Sequence, residues 1–449
     1  MKEVQATDFY GRRVLLNAID RHNIDIPNLQ IMPTIKEDHG QLYCYRCGQQ
    51  SSLAAGQLPN NQYYCPVCVN LGRASSLACY GYLAEPNHFT LPATILTWEG
   101  QLSPLQRQVS QAIDAGMTNH QRQLLWAVTG AGKTEMIFAG IAHALARQEC
   151  VAIASPRVDV CLELYPRLQA AFKHIPIALL HGQSDQPYQY RQLTICTTHQ
   201  LLRFYRAFDN LIVDEVDSFP YAANEALLFA TNNAIKSTGG LLLMTATPGR
   251  MLEHQISRRQ LTAHYLPLRY HGHLLPQIQV QLSPQWREKL QHGRLPAKLI
   301  QSVQATIQMG HQCLLFVPHI DDLPLVARVL GRRLGIGKFT TVYAADPQRI
   351  EKVQAMRNGD YDFLITTSIL ERGVTFPEID VYVLGADDAV FSSSALVQIA
   401  GRAGRSATRL DGQVIYWVGA IARTICDARR QINLMNRKGR RLQRELPSL

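Results

Sequence analysis

Hydrophobic positions set the plan of this 449-residue chain. From Phe89 onward, short apolar runs with strand character (LLWAV, VAIAS, LTICTT, NLIVDE, GLLLMTAT) alternate with longer helical stretches such as TEMIFAGIAHALARQ. That alternation predicts a parallel sheet wrapped by helices. It pauses between about Arg250 and His292, where RYHGHLLPQIQVQLSPQ is rich in Pro, Gly, His and Gln. It resumes with CLLFVP, TTVYAA, DFLITTS, DVYVLG and QVIYWVG. Two α/β domains are therefore expected, alike in pattern but not in residue identity. Ahead of them, Leu42 to about Asn87 has little long apolar periodicity and much Cys, Gly, Pro and Asn, as in a small module stapled by metal. The expected division is an N-terminal segment (1–40), a four-cysteine module (41–88), a first domain (89–255), a linker (256–292) and a second domain with a basic tail (293–449).

Length alone argues against a single core. Composition is that of a soluble protein, with 46% hydrophobic and 18% charged residues. No apolar run is long enough to span a bilayer, and MKEVQATDFYGRR is too polar for a signal peptide. Ten cysteines without such a signal point to a reducing compartment, the cytoplasm by default, where cysteine pairs more often bind metal than form disulfides. Net charge is +10, and the tail from Ile421 to Leu449 supplies +6 of it, eight Lys/Arg against Asp427 and Glu445. Such clustering is the electrostatic footprint of nucleic-acid binding, although a solvated terminal helix carries the same charge.

AVTGAGKT, Ala127 to Thr134, follows an apolar strand and precedes a helical stretch. Small residues there let backbone N–H groups turn inward around phosphates, and the helix N-terminus adds positive potential. Thr129, Gly130, Ala131 and Gly132 are the cradle; Lys133 reaches the β- and γ-phosphates of ATP, and Thr134 ligates Mg²⁺. NLIVDEVD ends a second apolar strand 81 residues after Lys133. Asp214 is placed to hold Mg²⁺, and Glu215 to orient and deprotonate the attacking water. GLLLMTATPG then sets Thr245 and Thr247 at a third strand end. In the second domain QIAGRAGR carries Arg402 and Arg405, three apart on one helical face and able to stabilise charge on a γ-phosphate.

Cys44, Cys47, Cys65 and Cys68 give C-x2-C-x17-C-x2-C, within the spacing of a four-thiolate Zn²⁺ site. Zinc suits four soft thiolates and a module with too little apolar content to fold alone. Buried free cysteines or an iron–sulfur cluster are the alternatives. Cys79, Cys150, Cys161, Cys196, Cys313 and Cys426 are expected in the core.

AVTGAGKT, DEVD and TAT in this order resemble motifs I, II and III of superfamily 2 helicases, with Ala127 where the first glycine usually stands. LSPLQ is similar to the stretch that reads adenine, Gln106 taking the glutamine place. ASPRVDV and CTTHQLL lie where that family contacts the nucleic-acid backbone. QIAGRAGR resembles motif VI, with Ile399 where many relatives carry Arg. ITTSILERGVTF resembles motif V, with Thr375 where many have Asp. An amino-terminal four-cysteine module ahead of such a core resembles the ComFA family of competence ATPases, over nearly the whole chain. The resemblance implies two tandem RecA-like domains with ATP between them. It also implies a motor on single-stranded DNA at the cytoplasmic face of the membrane, peripheral to the DNA-uptake channel, with competence proteins such as ComFC as partners. A replication-restart helicase of the PriA type, an RNA helicase and a non-catalytic zinc scaffold that senses nucleotide are the rivals.

Overall fold

The computed structural model describes residues 4–17, 24–182, 188–335, 337–372, 376, 378–404, 409 and 412–445. The chain divides into two compact units, residues 1–125 with 133–265, and residues 126–132 with 266–449.

A seven-stranded sheet organises the first unit, in the order Ile177–Leu180, Leu193–Thr197, Val151–Ser155, Phe208–Val213, Ile235–Thr245, Arg122–Ala127, Thr262–Leu266. Its first five strands pair in parallel. The strands Val151–Ser155, Leu193–Thr197 and Phe208–Val213 are buried at every position, so their apolar residues do not alternate with exposed polar ones. The helical stretch after the phosphate loop opens as a 3₁₀ turn, Glu135–Ile137, before the α-helix Phe138–Ala146. Such tightened turns are common where a helix leaves a loop. Parallel strands bring their carboxyl ends to one edge of the sheet, where ligands of open α/β sheets bind. Asp214 follows the strand end at Val213, and Thr245 ends the neighbouring strand.

The second unit repeats the plan with six strands, all paired in parallel: Gln279–Leu282, Val414–Val418, Ile379–Leu384, Gln312–Phe316, Phe363–Thr366, Phe339–Val342. Trp286, Leu315, Val326, Phe363, Tyr382 and Trp417 are among the side chains that fill its core. The segment expected as linker, 256–292, carries the strand Thr262–Leu266 of the first sheet and the strand Gln279–Leu282 of the second. Residues 267–278 lie between them.

The described residues among the first forty enter the fold of the cysteine module. Val14–Leu16 and Gln30–Pro33 flank Cys79–Tyr82 in an antiparallel three-stranded sheet. Phe9, Leu16 and Leu83 form a small core beneath it, with Ile24, Ile26, Leu29 and Cys79 packed around. The hairpins Ile35–Asp38/Gln41–Cys44 and Gln57–Leu58/Gln62–Tyr63 lie in sequence between Gln30–Pro33 and the central strand Cys79–Tyr82. Cys150, Cys161, Cys196 and Cys313 are buried as expected; Cys426 is instead exposed, because it sits on the outer face of an amphipathic helix whose buried stripe passes through Ile425 and Ala428.

Candidate nucleotide and metal sites

The strand Arg122–Ala127 delivers the chain into the loop that ends at Thr134. Gly130 and Gly132 take φ of 78° and 72°, left-handed values that residues with a Cβ avoid. Lys133 leaves this loop and donates to Asp214 Oδ1 at 3.0 Å. Burial opposes the ammonium charge, but Asp214, Glu215 and Asp217 more than offset it, so Lys133 is held above its ordinary pKa. The structure therefore brings Lys133 and Asp214 together, in a largely buried ion pair. Asp214 Oδ1 also accepts the Glu215 N–H at 2.8 Å.

Glu215 has φ of 54°, a conformation that costs on the order of 1–3 kcal/mol in a residue with a Cβ and that clusters at functional sites. Ser218 holds it: its N–H donates to the Glu215 carbonyl at 2.8 Å and its hydroxyl to Glu215 Oε2 at 3.2 Å. Asp217, to which the sequence reading gave no role, proves to be the link to the third strand end. Thr245 donates to Asp217 Oδ1 at 2.7 Å and Thr247 donates to Asp217 Oδ2. The Thr247 N–H closes the knot on Thr245 Oγ1 at 2.9 Å. The only hint in the sequence was two hydroxyls bracketing an alanine near an acidic tetrad.

The Thr134 hydroxyl and the Asp214 carboxylate are hard oxygen donors, a donor set that fits Mg²⁺, and both residues are buried. Gln106 is buried and serves as a helix cap. Its Oε1 accepts the Ser103 N–H at 2.9 Å while Ser103 Oγ accepts the Gln106 N–H at 3.3 Å, a reciprocal box that opens the helix Pro104–Thr118.

Arg402 is buried in the turn that follows the helix Ser393–Ala400. Ile399 is fully buried in that helix, so the arginine of many relatives would have no solvent there. Arg372 reaches the same helix, donating to Ser394 Oγ at 3.1 Å. Arg405 and Thr375 lie outside the described residues.

The four module cysteines converge. All four are buried and their sulfurs lie within 4.8 Å of one another, with Cys44–Cys68 at 3.7 Å and Cys47–Cys65 at 3.6 Å. A tetrahedral zinc with Zn–S bonds of about 2.3 Å needs sulfurs roughly 3.8 Å apart, so the cluster fits the ion. Arg46, between the first two cysteines, donates from Nε and Nη2 to Cys68 Sγ, both at 3.2 Å, and from Nη2 to the Cys68 carbonyl at 2.7 Å. This buried cation offsets thiolate charge that a divalent ion alone leaves uncompensated, a role the Cys-x-x-Cys spacing did not disclose.

Two parallel-sheet domains with a glycine-bearing loop after a strand, an acidic strand end and a buried arginine in QIAGRAGR are the frame of a DEAD-box-like helicase. The DEAD/DEAH box helicase family matches residues 103–254, and the helicase conserved C-terminal domain matches residues 295–407. The fold is similar to that of Saccharomyces cerevisiae Dbp5 bound to RNA and ADP BeF3. That match has a TM-score of 0.51 and 14% identity, over 75% of this chain and 92% of that one. Competence protein ComFA of Bacillus subtilis (strain 168) is 40% identical over 400 residues, 88% of this chain and 85% of that one. Competence protein ComFA of Streptococcus pneumoniae (strain ATCC BAA-255 / R6) is 37% identical over 435 residues, 96% and 98% of the two chains. The chain belongs to the ComFA family, and is a competence-associated, ATP-using helicase.

Proposed function

We propose that this protein is an ATP-driven translocase on single-stranded DNA that draws transforming DNA inward during competence, working at the cytoplasmic face of the membrane. Attachment to an uptake channel runs through partners, ComFC among them; among the described residues no helix is long and apolar enough to cross a membrane. The observation that carries the reading is a pair of hydrogen-bonded sets on one short segment: Lys133–Asp214–Glu215 and, two residues further along the chain, Asp217–Thr245/Thr247. A change at the phosphate end reaches the third strand end through the backbone between Glu215 and Asp217, as an engine coupled to a track requires.

In this reading Gln106 reads the adenine and the loop Thr129–Gly132 cradles the phosphates. Lys133 neutralises the β- and γ-phosphates, and Asp214 with Thr134 holds Mg²⁺, which neutralises phosphate charge when bound. Glu215 takes the proton of the attacking water, and Arg402 with Arg405 stabilises charge that develops on the γ-phosphate. The zinc module is an accessory grip on DNA or a docking face for competence proteins. Its position supports this. Arg13 donates to the Tyr45 carbonyl beside the cysteines, while its own N–H donates to the Arg203 carbonyl at 2.9 Å. The module is thereby tied to the end of the 3₁₀ helix Thr198–Arg203, which begins inside CTTHQLL.

The test is the ATPase rate of the full chain with single-stranded DNA, duplex DNA and RNA side by side. Strong stimulation by single-stranded DNA alone is expected; equal stimulation by RNA, or none by any of the three, removes the DNA-translocase reading.

A further inference from the structure

The carbonyls of Gly401, Ala403 and Gly404 belong to the turn that carries Arg402 and ends the helix Ser393–Ala400. Carbonyls in a turn just past a helix end have no partner within that helix. Here one side chain takes all three. Arg269 Nη1 donates to Ala403 O at 2.6 Å and Gly404 O at 2.5 Å, and Nη2 donates to Gly401 O at 3.2 Å. Arg269 is only 4% exposed. A planar fork with fixed donor directions holds three backbone oxygens in one arrangement, which a flexible ammonium does not.

Arg269 is itself held. Its N–H donates to the His273 carbonyl and its carbonyl accepts the Gly272 N–H, both at 2.9 Å, so residues 269–273 form a closed turn. The C-terminal helix Arg423–Glu445 grips the segment around that turn at three places along its length. The buried Asn436 exchanges both hydrogen bonds with Leu275, N–H to Oδ1 and Nδ2 to carbonyl, each at 2.9 Å. Gln443 Nε2 donates to the Gly272 carbonyl at 2.8 Å. Between them, a Cβ at Gly439 would lie 2.6 Å from Leu274 Cδ2 and 2.8 Å from Leu268 Cδ2. Glycine costs a helix interior about 1 kcal/mol against alanine, so its presence there marks a close approach. The same helix packs directly on Ser393–Ala400.

We infer that Arg269 is a positioning residue for ATP hydrolysis: held by the C-terminal helix through Leu275 and Gly272, it fixes the turn that presents Arg402. This rests on the reading of Arg402 as a γ-phosphate-stabilising arginine. A residue acting this way alters the transition state and not the affinity of the ground state. In the full chain, Arg269→Gln should therefore lower kcat for ATP by about 10²-fold, the scale of a ~1 Å misplacement, with KM and nucleotide-analogue binding unchanged. The double variant Arg269→Gln with Arg402→Ala should be no slower than Arg402→Ala alone, which a general loss of stability does not reproduce. Arg269→Lys should recover part of the rate. Asn436→Leu, remote from every motif, should lower kcat in the same direction, and it carries the test if Arg269→Gln fails to fold by its thermal transition. Normal kcat in Arg269→Gln and Asn436→Leu, with Arg402→Ala inactive, overturns the positioning role and leaves the ATP site as read. Normal hydrolysis by Arg402→Ala overturns both.

Discussion

Asp217 sits two residues past Glu215 and accepts from the hydroxyls of both Thr245 and Thr247. A half-buried carboxylate that satisfies two hydroxyls makes the pair of strand ends one unit, and losing one donor leaves its acceptor short of a partner. Thr247→Val keeps the shape of the side chain and removes one donor. ATP binding should survive, while the ratio of DNA-stimulated to basal hydrolysis should collapse, measured by titrating single-stranded DNA at saturating ATP. An unchanged ratio would detach Asp217 from coupling. Lys133→Ala should abolish hydrolysis by removing phosphate binding, and Glu215→Gln should bind ATP and not turn it over. Full turnover by Glu215→Gln would take the water-activating role from Glu215. At this scale chain-local spacing marked the glycine-rich loop, the acidic tetrad and the paired cysteines, and the structure brings Lys133 to Asp214 and the four cysteines together. Asp217, Arg46 and Arg269 were not legible, because each acts on atoms that folding alone brings to it. Arg269 lies more than 130 residues from the carbonyls it holds.

The C-terminal helix Arg423–Glu445 resolves what charge alone left even. Its buried positions, Ile425, Ala428, Ile432, Met435, Asn436 and Gly439, recur every three or four residues and form one stripe. Arg423, Arg430, Arg437, Arg440, Arg441 and Arg444 are exposed, on the face away from that stripe. The element is thus both a packed structural helix and a row of cations, and the two readings of the tail are not exclusive. Each phosphate neutralised on a single strand adds roughly 0.7 to the slope of log affinity against log salt. Replacing Arg437, Arg440 and Arg441 with Gln should flatten that slope by up to roughly 2 and weaken binding equally across base sequences, since backbone contacts carry no sequence information. ATP binding without DNA should not change, because none of these side chains lies in the ATP site as read. Identical slopes would make the stripe a solvated face. The strand-and-helix alternation of both domains was legible for the same reason the stripe was, a burial pattern written into neighbouring positions. The strands Val14–Leu16 and Gln30–Pro33 were not, since three and four residues give no period, and their partner Cys79–Tyr82 lies more than forty residues further on.

On the scale of the whole chain, the cysteine module is a separate fold fixed to the first motor domain. Its own sheet and the cluster around Phe9, Leu16 and Leu83 are small, and metal ligation supplies on the order of 10 kcal/mol of folding energy to modules of this kind. Its attachment does not depend on the nucleotide site: Arg13 lies 3.9 Å over the Tyr205 ring. Arg12 bridges to Phe204, and Gly48 abuts the ring of Phe229 on the helix Glu225–Ala234. Lys133, Asp214 and Glu215 stand on other elements. Cys44→Ser should therefore release one zinc per chain, measured by elemental analysis, and unfold the module while basal ATP hydrolysis largely survives. The same variant should lose single-stranded DNA affinity or the docking of ComFC, because the module is tied at Arg203 to the end of the stretch that resembles a backbone-contacting motif. Iron in place of zinc in the native chain would overturn the metal assignment. Zinc loss with DNA stimulation and docking both intact would confine the module to a structural role, and loss of basal hydrolysis would show that the motor domain does not stand without it.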